Sequence, residues 1–341
     1  MKDSSIQLIL GNSNKRFSGV TSTMLQVLPH QRKLMSLAVL GKHHIDDDTP
    51  ILSFREFTKL SKQSLLDGKP RIFHARRNDE MIQALIAKKI FGSKLKIVFT
   101  STAQRHHSHF TRWLMSKMDA IITTCNAANA YLKTPADIII PHGIDIETFK
   151  PSDSLISENI QIGIFGRVRP SKGIDLLIDA IIPILKTNSQ LTLNLIGETT
   201  PKFRPYLEEQ KAKITNAGLD EQVIYHGKVP FSSLPGLYRS MDLVCALSRS
   251  EGFGLTPLEA MASGTAVLTS EAGAWKDIIE NGVHGYHTPT GDIDAIKTKL
   301  ELMLSSPEKL AKMGKAGRKH VEEKFTNTLE AQRLCAFFKS L

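Results

Sequence analysis

The sequence predicts an α/β protein of two doubly wound parallel sheets, and three observations lead there. Its 341 residues suffice for two domains of about 100–200 residues each. In both halves, short β-branched runs alternate with longer segments whose apolar residues fall at helical spacing. A polar stretch containing Pro151, Lys150–Asn159, separates the halves. Such alternation argues for parallel strands covered by helices, and its repetition argues for two domains.

In the first half the expected strands are Ile6–Leu10, Leu34–Leu40, Ile72–His74, Lys96–Thr100, Ala120–Thr124 and Asp137–Pro141. In the second half they are Gln161–Phe165, Leu191–Ile196, Val223–His226, Leu243–Ala246, Ala266–Ser270 and Gly285–His287. Lys172–Leu185 and Phe203–Ala217 are examples of the intervening helical patterns. No repeat or low-complexity segment interrupts the scheme. Ligands of open α/β sheets bind beyond the carboxyl ends of the strands, so two such domains are expected to face each other across a cleft lined by those loops.

Composition narrows the class. With 41% hydrophobic and 23% charged residues the chain is neither disordered nor collagen-like. Three cysteines (Cys125, Cys245, Cys335) without paired spacing suit a reduced, cytoplasmic protein. The longest apolar stretch, Ile174–Leu185, is interrupted by Asp175 and Asp179, and Met1–Leu10 lacks the form of a secretory leader. Of the net charge of +10, residues 1–158 hold 22 Lys and Arg against 14 Asp and Glu. A basic first half points to an anionic partner or to a solvated basic face.

Two loops carry the chemistry. Gly166-Arg167-Val168-Arg169-Pro170-Ser171-Lys172-Gly173 follows the first strand of the second half and opens a helix. Free backbone N–H groups and two cations suit a phosphate there, although a solvated turn explains this stretch equally well on its own. It is neither a Walker loop nor G-x-G-x-x-G. Glu251-Gly252-Phe253-Gly254-Leu255-Thr256-Pro257-Leu258-Glu259 brings two carboxylates toward one crevice. Thr256 is expected as an N-cap with Pro257 at the first helical position, and Gly264 as the stop. Thr256-x-x-Glu259 also spells a capping box, a purely structural use of Glu259. Asp46-Asp47-Asp48 has the spelling of a metal-binding Asp-x-Asp but reads as a solvated acidic loop.

Taken together, the Glu-x₇-Glu pair around Gly-Phe-Gly and the Gly-Arg…Lys-Gly loop resemble the retaining GT-B glycosyltransferases of family 4. So does Pro141-His142-Gly143-Ile144-Asp145 with Phe149-Lys150-Pro151, where that family usually has Pro-Asn-Gly-Val-Asp. The resemblance implies a GT-B fold of two Rossmann-like domains: 1–150 for the acceptor, a linker 151–159, 160–324 for the nucleotide sugar, and 325–341 as a helix returning to the first domain. It implies a donor site of Gly166, Arg167, Lys172, Glu251, Gly252, Phe253, Gly254, Leu255 and Glu259. In it Arg167 and Lys172 hold the diphosphate, Glu251 and the Gly252–Leu255 backbone meet the sugar, and Glu259 meets the ribose. Glu251, Arg167 and Lys172 are then the catalytic residues, with no metal and no cofactor besides the sugar-nucleotide co-substrate. Cations at a helix N-terminus stabilise the charge developing on a departing nucleoside diphosphate.

The first-domain loop 11–20 resembles the family's glycine loop without its paired glycines, with Lys15, Arg16 and Gly19 as acceptor candidates. His74, Arg76, Gln104, Arg105, His106 and His107 are the others, on loops after strands. Thr102 stands where many members have histidine, and Gln104, His106 or His107 are the candidates to replace it. Phe110, Trp113, Leu114 and Met118 share one helical face, which fits either core packing or an interfacial helix on anionic lipid. The strings His74–Met81 and Phe99–Leu114 further resemble bacterial lipopolysaccharide core mannosyltransferases. That implies mannose transfer from GDP-mannose to a lipid-linked inner-core oligosaccharide, in the cytoplasm or peripherally on the cytoplasmic face of the inner membrane. The alternatives are a UDP-sugar-dependent glucosyl-, galactosyl- or N-acetylglucosaminyltransferase, and a non-catalytic binder of nucleotide sugar or nucleic acid. Nucleic acid is not expected, because the basic excess is modest and no recognition signature accompanies it.

Overall fold

The computed structural model describes residues 5–15, 18–45, 48–151 and 159–341. The chain divides into two compact units, Met1–Gly143 with Asn327–Leu341, and Ile144–Thr326. In the first, β1 (Leu8–Gly11), β2 (Leu37–Leu40), β3 (Ile51–Leu52), β4 (Arg71–Ala75), β5 (Leu95–Ser101), β6 (Ala120–Thr123) and β7 (Ile138–Ile139) form one parallel sheet. Their order is β3-β2-β1-β4-β5-β6-β7. In the second, β8 (Ile160–Phe165), β9 (Leu191–Ile196), β10 (Val223–Gly227), β11 (Leu243–Ala246), β12 (Ala266–Ser270) and β13 (Gly285–Thr288) pair in parallel. Their order is β10-β9-β8-β11-β12-β13. Every strand expected from the sequence is found. The added one, β3, has two residues, too few to leave a pattern.

These strands are continuous apolar runs because helices cover both faces of each sheet. Leu8 and Leu10 of β1 face a cluster with Met24 and Val27, whereas Ile9 faces the opposite cluster with Phe57 and Phe73. The C-terminal helix Asn327–Ser340 adds Ala331, Leu334, Cys335 and Phe338 to the first of these. In the second unit, Ile174, Leu177, Ile178 and Ile181 of the helix Ile174–Leu185 pack on Ile162, Leu193 and Leu243 of the sheet.

Residues 144–150, expected with the first domain, belong to the second unit. The Ile144 amide donates to the Phe325 carbonyl at 2.8 Å. Arg318 Nη1 donates to the carbonyls of Ile146, Phe149 and Ala262 at 3.0, 2.8 and 2.7 Å, while its Nε donates to Glu322 at 2.6 Å. Most of the expected linker, 152–158, lies outside the described residues.

In each sheet the strand order reverses once beside the first strand of the unit, at β1/β4 and at β8/β11. Loops leaving the carboxyl ends of those neighbouring strands diverge to opposite faces and leave a crevice.

Candidate active site

At the β8/β11 reversal the second unit brings its two motif loops together. The stretch after β8 turns through a single 3₁₀ turn, Pro170–Lys172, into the helix Ile174–Leu185. Gly173 joins them at φ 70°, where a Cβ would collide with the Leu247 carbonyl after β11. Only glycine allows that approach. It sets Lys172 in an ion pair with Glu251, which also accepts from Ser248 Oγ at 3.3 Å. The Lys172 and Glu251 side chains remain 17% and 20% exposed, so the pair stands at the crevice rather than in the core. Arg167 is exposed, without a hydrogen bond or ion pair to any described residue. Gly166 is likewise exposed.

Glu251, Gly252, Phe253, Gly254 and Leu255 follow as a tight loop over Trp275. The Trp275 Nε1–H donates to the Gly254 carbonyl at 2.9 Å, and the Ala274 amide to the Phe253 carbonyl at 3.2 Å. Gly254, at φ 79°, has the Trp275 ring where a Cβ would stand. The loop is thus bolted to a fully buried indole, and its position is fixed before any ligand arrives.

The capping-box expectation fails. The helix begins at Thr256 with Leu255 as its N-cap, and no side chain closes the cap. Both box residues turn instead to Tyr238: its hydroxyl donates to Glu259 Oε2 at 2.6 Å, and the Thr256 side chain bonds the same hydroxyl. Tyr238 is buried and stacked on Phe165 at 3.9 Å. Burial raises the Glu259 carboxyl above the ordinary range, while the Tyr238 hydrogen bond and the Lys172 charge pull it partway back. Oε1 of Glu259 has no partner among the described residues, leaving acceptor capacity for a hydroxyl. Gly264 ends the helix at φ 80°, as expected.

Three residues outside the motifs hold the phosphate-type turn. Arg249 grips Asp175 through both terminal nitrogens at 2.9 and 2.7 Å, and donates to the Pro170 carbonyl at 2.5 Å. Its backbone amide donates to the Ser171 carbonyl at 2.9 Å. Tyr206 donates to Asp175 at 2.8 Å. Burial pushes Asp175 up, but the bonds from Arg249 and Tyr206 outweigh it and hold the carboxyl below its usual range. Sequence reading missed this clasp because Arg249 and Asp175 lie 74 positions apart.

In the first unit the candidate acceptor residues separate by burial. Lys15 and Gly19 are exposed, and Arg16 lies outside the described residues. His74 is 1% exposed on β4, with Nε2 2.7 Å from Thr100 Oγ1 and its ring edge-on to Phe338. Burial, then the charges of Arg76 and His142, depress its pKa well below the ordinary value, so it is a neutral interior histidine. Arg76 is partly buried near Glu80 and Glu330, with Nη1 enclosed and unbonded among the described residues. Glu330 accepts from His142 Nδ1 at 2.9 Å and the Gly143 amide at 2.7 Å. Gln104 donates to Cys125 Sγ at 3.8 Å, and Arg105 is exposed. His106 packs edge-on against Tyr131, whereas His107 Nε2 lies 2.9 Å from Ser101 Oγ.

At the β1/β4 reversal, sequence reading also missed Arg77 and Glu80. Glu80 accepts from the amides of Arg76 and Arg77 at 2.7 and 3.2 Å. Arg77 Nη2 donates to Ser18 and Thr21 at 3.0 and 2.8 Å, tying that turn to the helix Gly19–Arg32. Among the described residues no three His, Cys, Asp or Glu side chains gather as a metal centre, and Asp46 and Asp47 lie outside them.

Comparison with known proteins adds four findings. Residues 145–320 match the family described as Glycosyl transferases group 1. Over 98% of its length the chain is 35% identical to the lipopolysaccharide core biosynthesis mannosyltransferase LpcC of Rhizobium leguminosarum bv. viciae, covering 97% of that protein. It is 34% identical to the corresponding LpsB of Rhizobium meliloti (strain 1021), covering 98% of each chain. In three dimensions it is similar to Anabaena Alr3699/HepE crystallised with UDP, at a TM-score of 0.81 and 19% identity over 98% of this chain and 100% of that one.

Proposed function

This chain belongs to the group 1 glycosyl transferases, and we propose that within that family it transfers mannose from GDP-mannose to a lipopolysaccharide inner-core acceptor with retention of configuration. It is a glycosyltransferase enzyme with a two-unit α/β fold. The observation that supports the donor site is the meeting of Lys172 and Glu251 at the β8/β11 reversal, beside Arg167, which has no ion-pair partner among the described residues. The mannose and core assignments draw on the two relatives that match almost end to end.

In this reading Lys172 and Arg167 take the donor diphosphate, supplying the positive charge that a metal would otherwise bring. Glu251 exchanges Lys172 for hydroxyls of the sugar, and Oε1 of Glu259 accepts from the ribose. Among the described residues no side chain of the site stands out as a nucleophile, which favours attack on the sugar face that the diphosphate leaves. The acceptor oxygen bonds the anomeric carbon as the carbon–oxygen bond to the diphosphate breaks, and the acceptor proton passes to the departing phosphate. Exposed Lys15, Gly19, Arg105 and His106, with Arg16, Gln104 and His107, are the acceptor contacts of the first unit. His74 and Arg76 act from beneath them as positioning residues. The enzyme works on the cytoplasmic face of the inner membrane, where its lipid-linked acceptor is available. No helix among the described residues is long and apolar enough to cross a membrane.

The test is thermal stabilisation by GDP-mannose, UDP-glucose and UDP-N-acetylglucosamine in EDTA, followed by transfer to a core oligosaccharide. Selective stabilisation by GDP-mannose is expected. Selective response to a UDP-sugar would discard mannose while keeping the chemistry, and response to none would remove the donor site.

A further inference from the structure

In the first sheet β4 lies between β1 and β5, so the turn that leaves β4 stands between the loops that leave its two neighbours. That turn, Arg76-Arg77-Asn78-Asp79-Glu80, opens the helix Asn78–Lys89, and of its five residues only Glu80 is buried. Its side chains reach in both directions. Arg77 Nη2 donates to Ser18 Oγ and Thr21 Oγ1 at the start of the helix Gly19–Arg32, and Asp79 accepts from Ser13 Oγ. Asn78 Nδ2 reaches the other way, donating at 2.8 Å to Thr111 Oγ1 on the first turn of the helix His109–Met115. The Thr111 amide donates to Oγ of Ser108, the N-cap of that helix, at 3.2 Å. Glu80 holds the turn itself, accepting from Arg77 Nη1 at 3.1 Å as well as from the Arg76 and Arg77 amides.

The strands β1, β4 and β5 are already paired through their backbones and packed by apolar side chains without these bonds. What the bonds fix is the spacing of two loops. Lys15 and Gly19 belong to the loop after β1, whereas Gln104, Arg105, His106 and His107 lie between β5 and Thr111. We propose that Arg77 and Asn78 are positioning residues for the acceptor: they brace the two loops at the separation at which both grip one acceptor, without touching it themselves. Arginine suits the task because its planar fork serves Glu80 with one terminal nitrogen and two hydroxyls with the other. The proposal rests on the acceptor reading given above. It concerns the first unit, so the donor affinity assigned to the second is expected to stay out of its reach.

Arg77→Ala and Asn78→Ala are to be assayed in the full chain with GDP-mannose and a core oligosaccharide. Each should raise the acceptor KM about tenfold, while the calorimetric Kd of GDP-mannose stays within about twofold of the native value. Arg77→Lys should recover only part of the loss, since one ammonium cannot serve Glu80 and both hydroxyls together. Thr21→Val should raise KM in the native chain but add nothing to Arg77→Ala, and Thr111→Val should stand in the same relation to Asn78→Ala. Should Arg77→Ala fail to fold, Thr21→Val carries the same KM test with one hydroxyl removed. Amide hydrogen exchange gives a readout separate from turnover: segment 12–21 should exchange faster in Arg77→Ala, and segment 104–111 in Asn78→Ala. An unmoved KM in variants that still bind GDP-mannose, effects that add in the double variants, or loop exchange equal to that of the native chain would each overturn the proposal. Native transfer with an unmoved KM sinks the brace alone; a native chain that binds GDP-mannose yet transfers nothing to the oligosaccharide sinks the acceptor reading and the brace with it.

Discussion

Glu251→Gln should separate the affinity for a sugar nucleotide from that for the bare nucleotide. Without ligand, Lys172 is held by Glu251, so a diphosphate must break that pair and sit near a carboxylate. A pair of this kind is worth roughly 4 kcal/mol before solvent and entropy are counted, at an effective dielectric of about 20. Fully exposed pairs fall to about 0–1 kcal/mol. With the two side chains 17% and 20% exposed, this pair lies between those limits. A net release of about 1.4 kcal/mol tightens GDP about tenfold. GDP-mannose gains the same release but loses the hydroxyl contacts of the carboxylate, each worth about 1.5–3 kcal/mol when the group is charged. Calorimetric titration of GDP and GDP-mannose in EDTA should therefore show the first tightening and the second unchanged or weaker, with turnover down at least about 100-fold. If GDP weakens in parallel with GDP-mannose, Glu251 is not competing for Lys172 and the reasoning fails.

Three further perturbations test the supports of the site and the stability of the second unit around it. Arg249→Ala removes the clasp on Asp175 and Pro170, and kcat/KM should fall by about 10–100-fold with the melting temperature nearly unchanged, since the pair is partly exposed. Tyr238→Phe keeps the ring stack but leaves Glu259 without its donor, costing about 1–3 kcal/mol in urea melts at neutral pH. Because Glu259 already titrates above the ordinary range, its favourable contribution is full at low pH and is lost as pH rises through the folded value; the penalty of Tyr238→Phe should grow in the same direction. His320 has its pKa lowered from 6.5 to about 4 by burial, the adjacent His284 ring at 4.2 Å and Lys324. Its contribution is present above pH 6.5 and lost as pH falls toward 4, so His320→Gln should flatten the acid side of the stability profile by about 1–2 kcal/mol.

The fold was legible to the degree that burial is continuous. Leu191–Ile196, Leu243–Ala246 and Ala266–Ser270 match their expected bounds because both faces of a parallel strand are covered, so the whole strand is apolar. The same continuity hides side-chain direction: His74 sits among apolar neighbours on β4, and nothing local indicates that it points inward. Of the site, the ion-pair partners Lys172 and Glu251 were readable as motif residues. The roles of Tyr238, Arg249 and Asp175 were not, because they arise from contacts across the sheet. Thr256 and Glu259 show the cost of local reading, since a valid capping spelling is overridden when a buried hydroxyl from another helix takes both side chains.

The placement of Asn327–Ser340 also bears on how the molecule is made. The second unit is an unbroken insertion, and its Ile144 and Thr326 pair side by side. Its core is complete once residue 326 has left the ribosome. The first unit, translated earlier, lacks Ala331, Leu334, Cys335 and Phe338 until the second unit has been made. The later-synthesised unit is thus complete first, and the sheet face that packs on Met24 and Val27 stays partly uncovered until Asn327–Ser340 follows. During that interval the partly covered face of the amino-terminal sheet is apolar surface open to aggregation, and a nonsense codon just after residue 326 would disable the half of the protein farther from it in sequence.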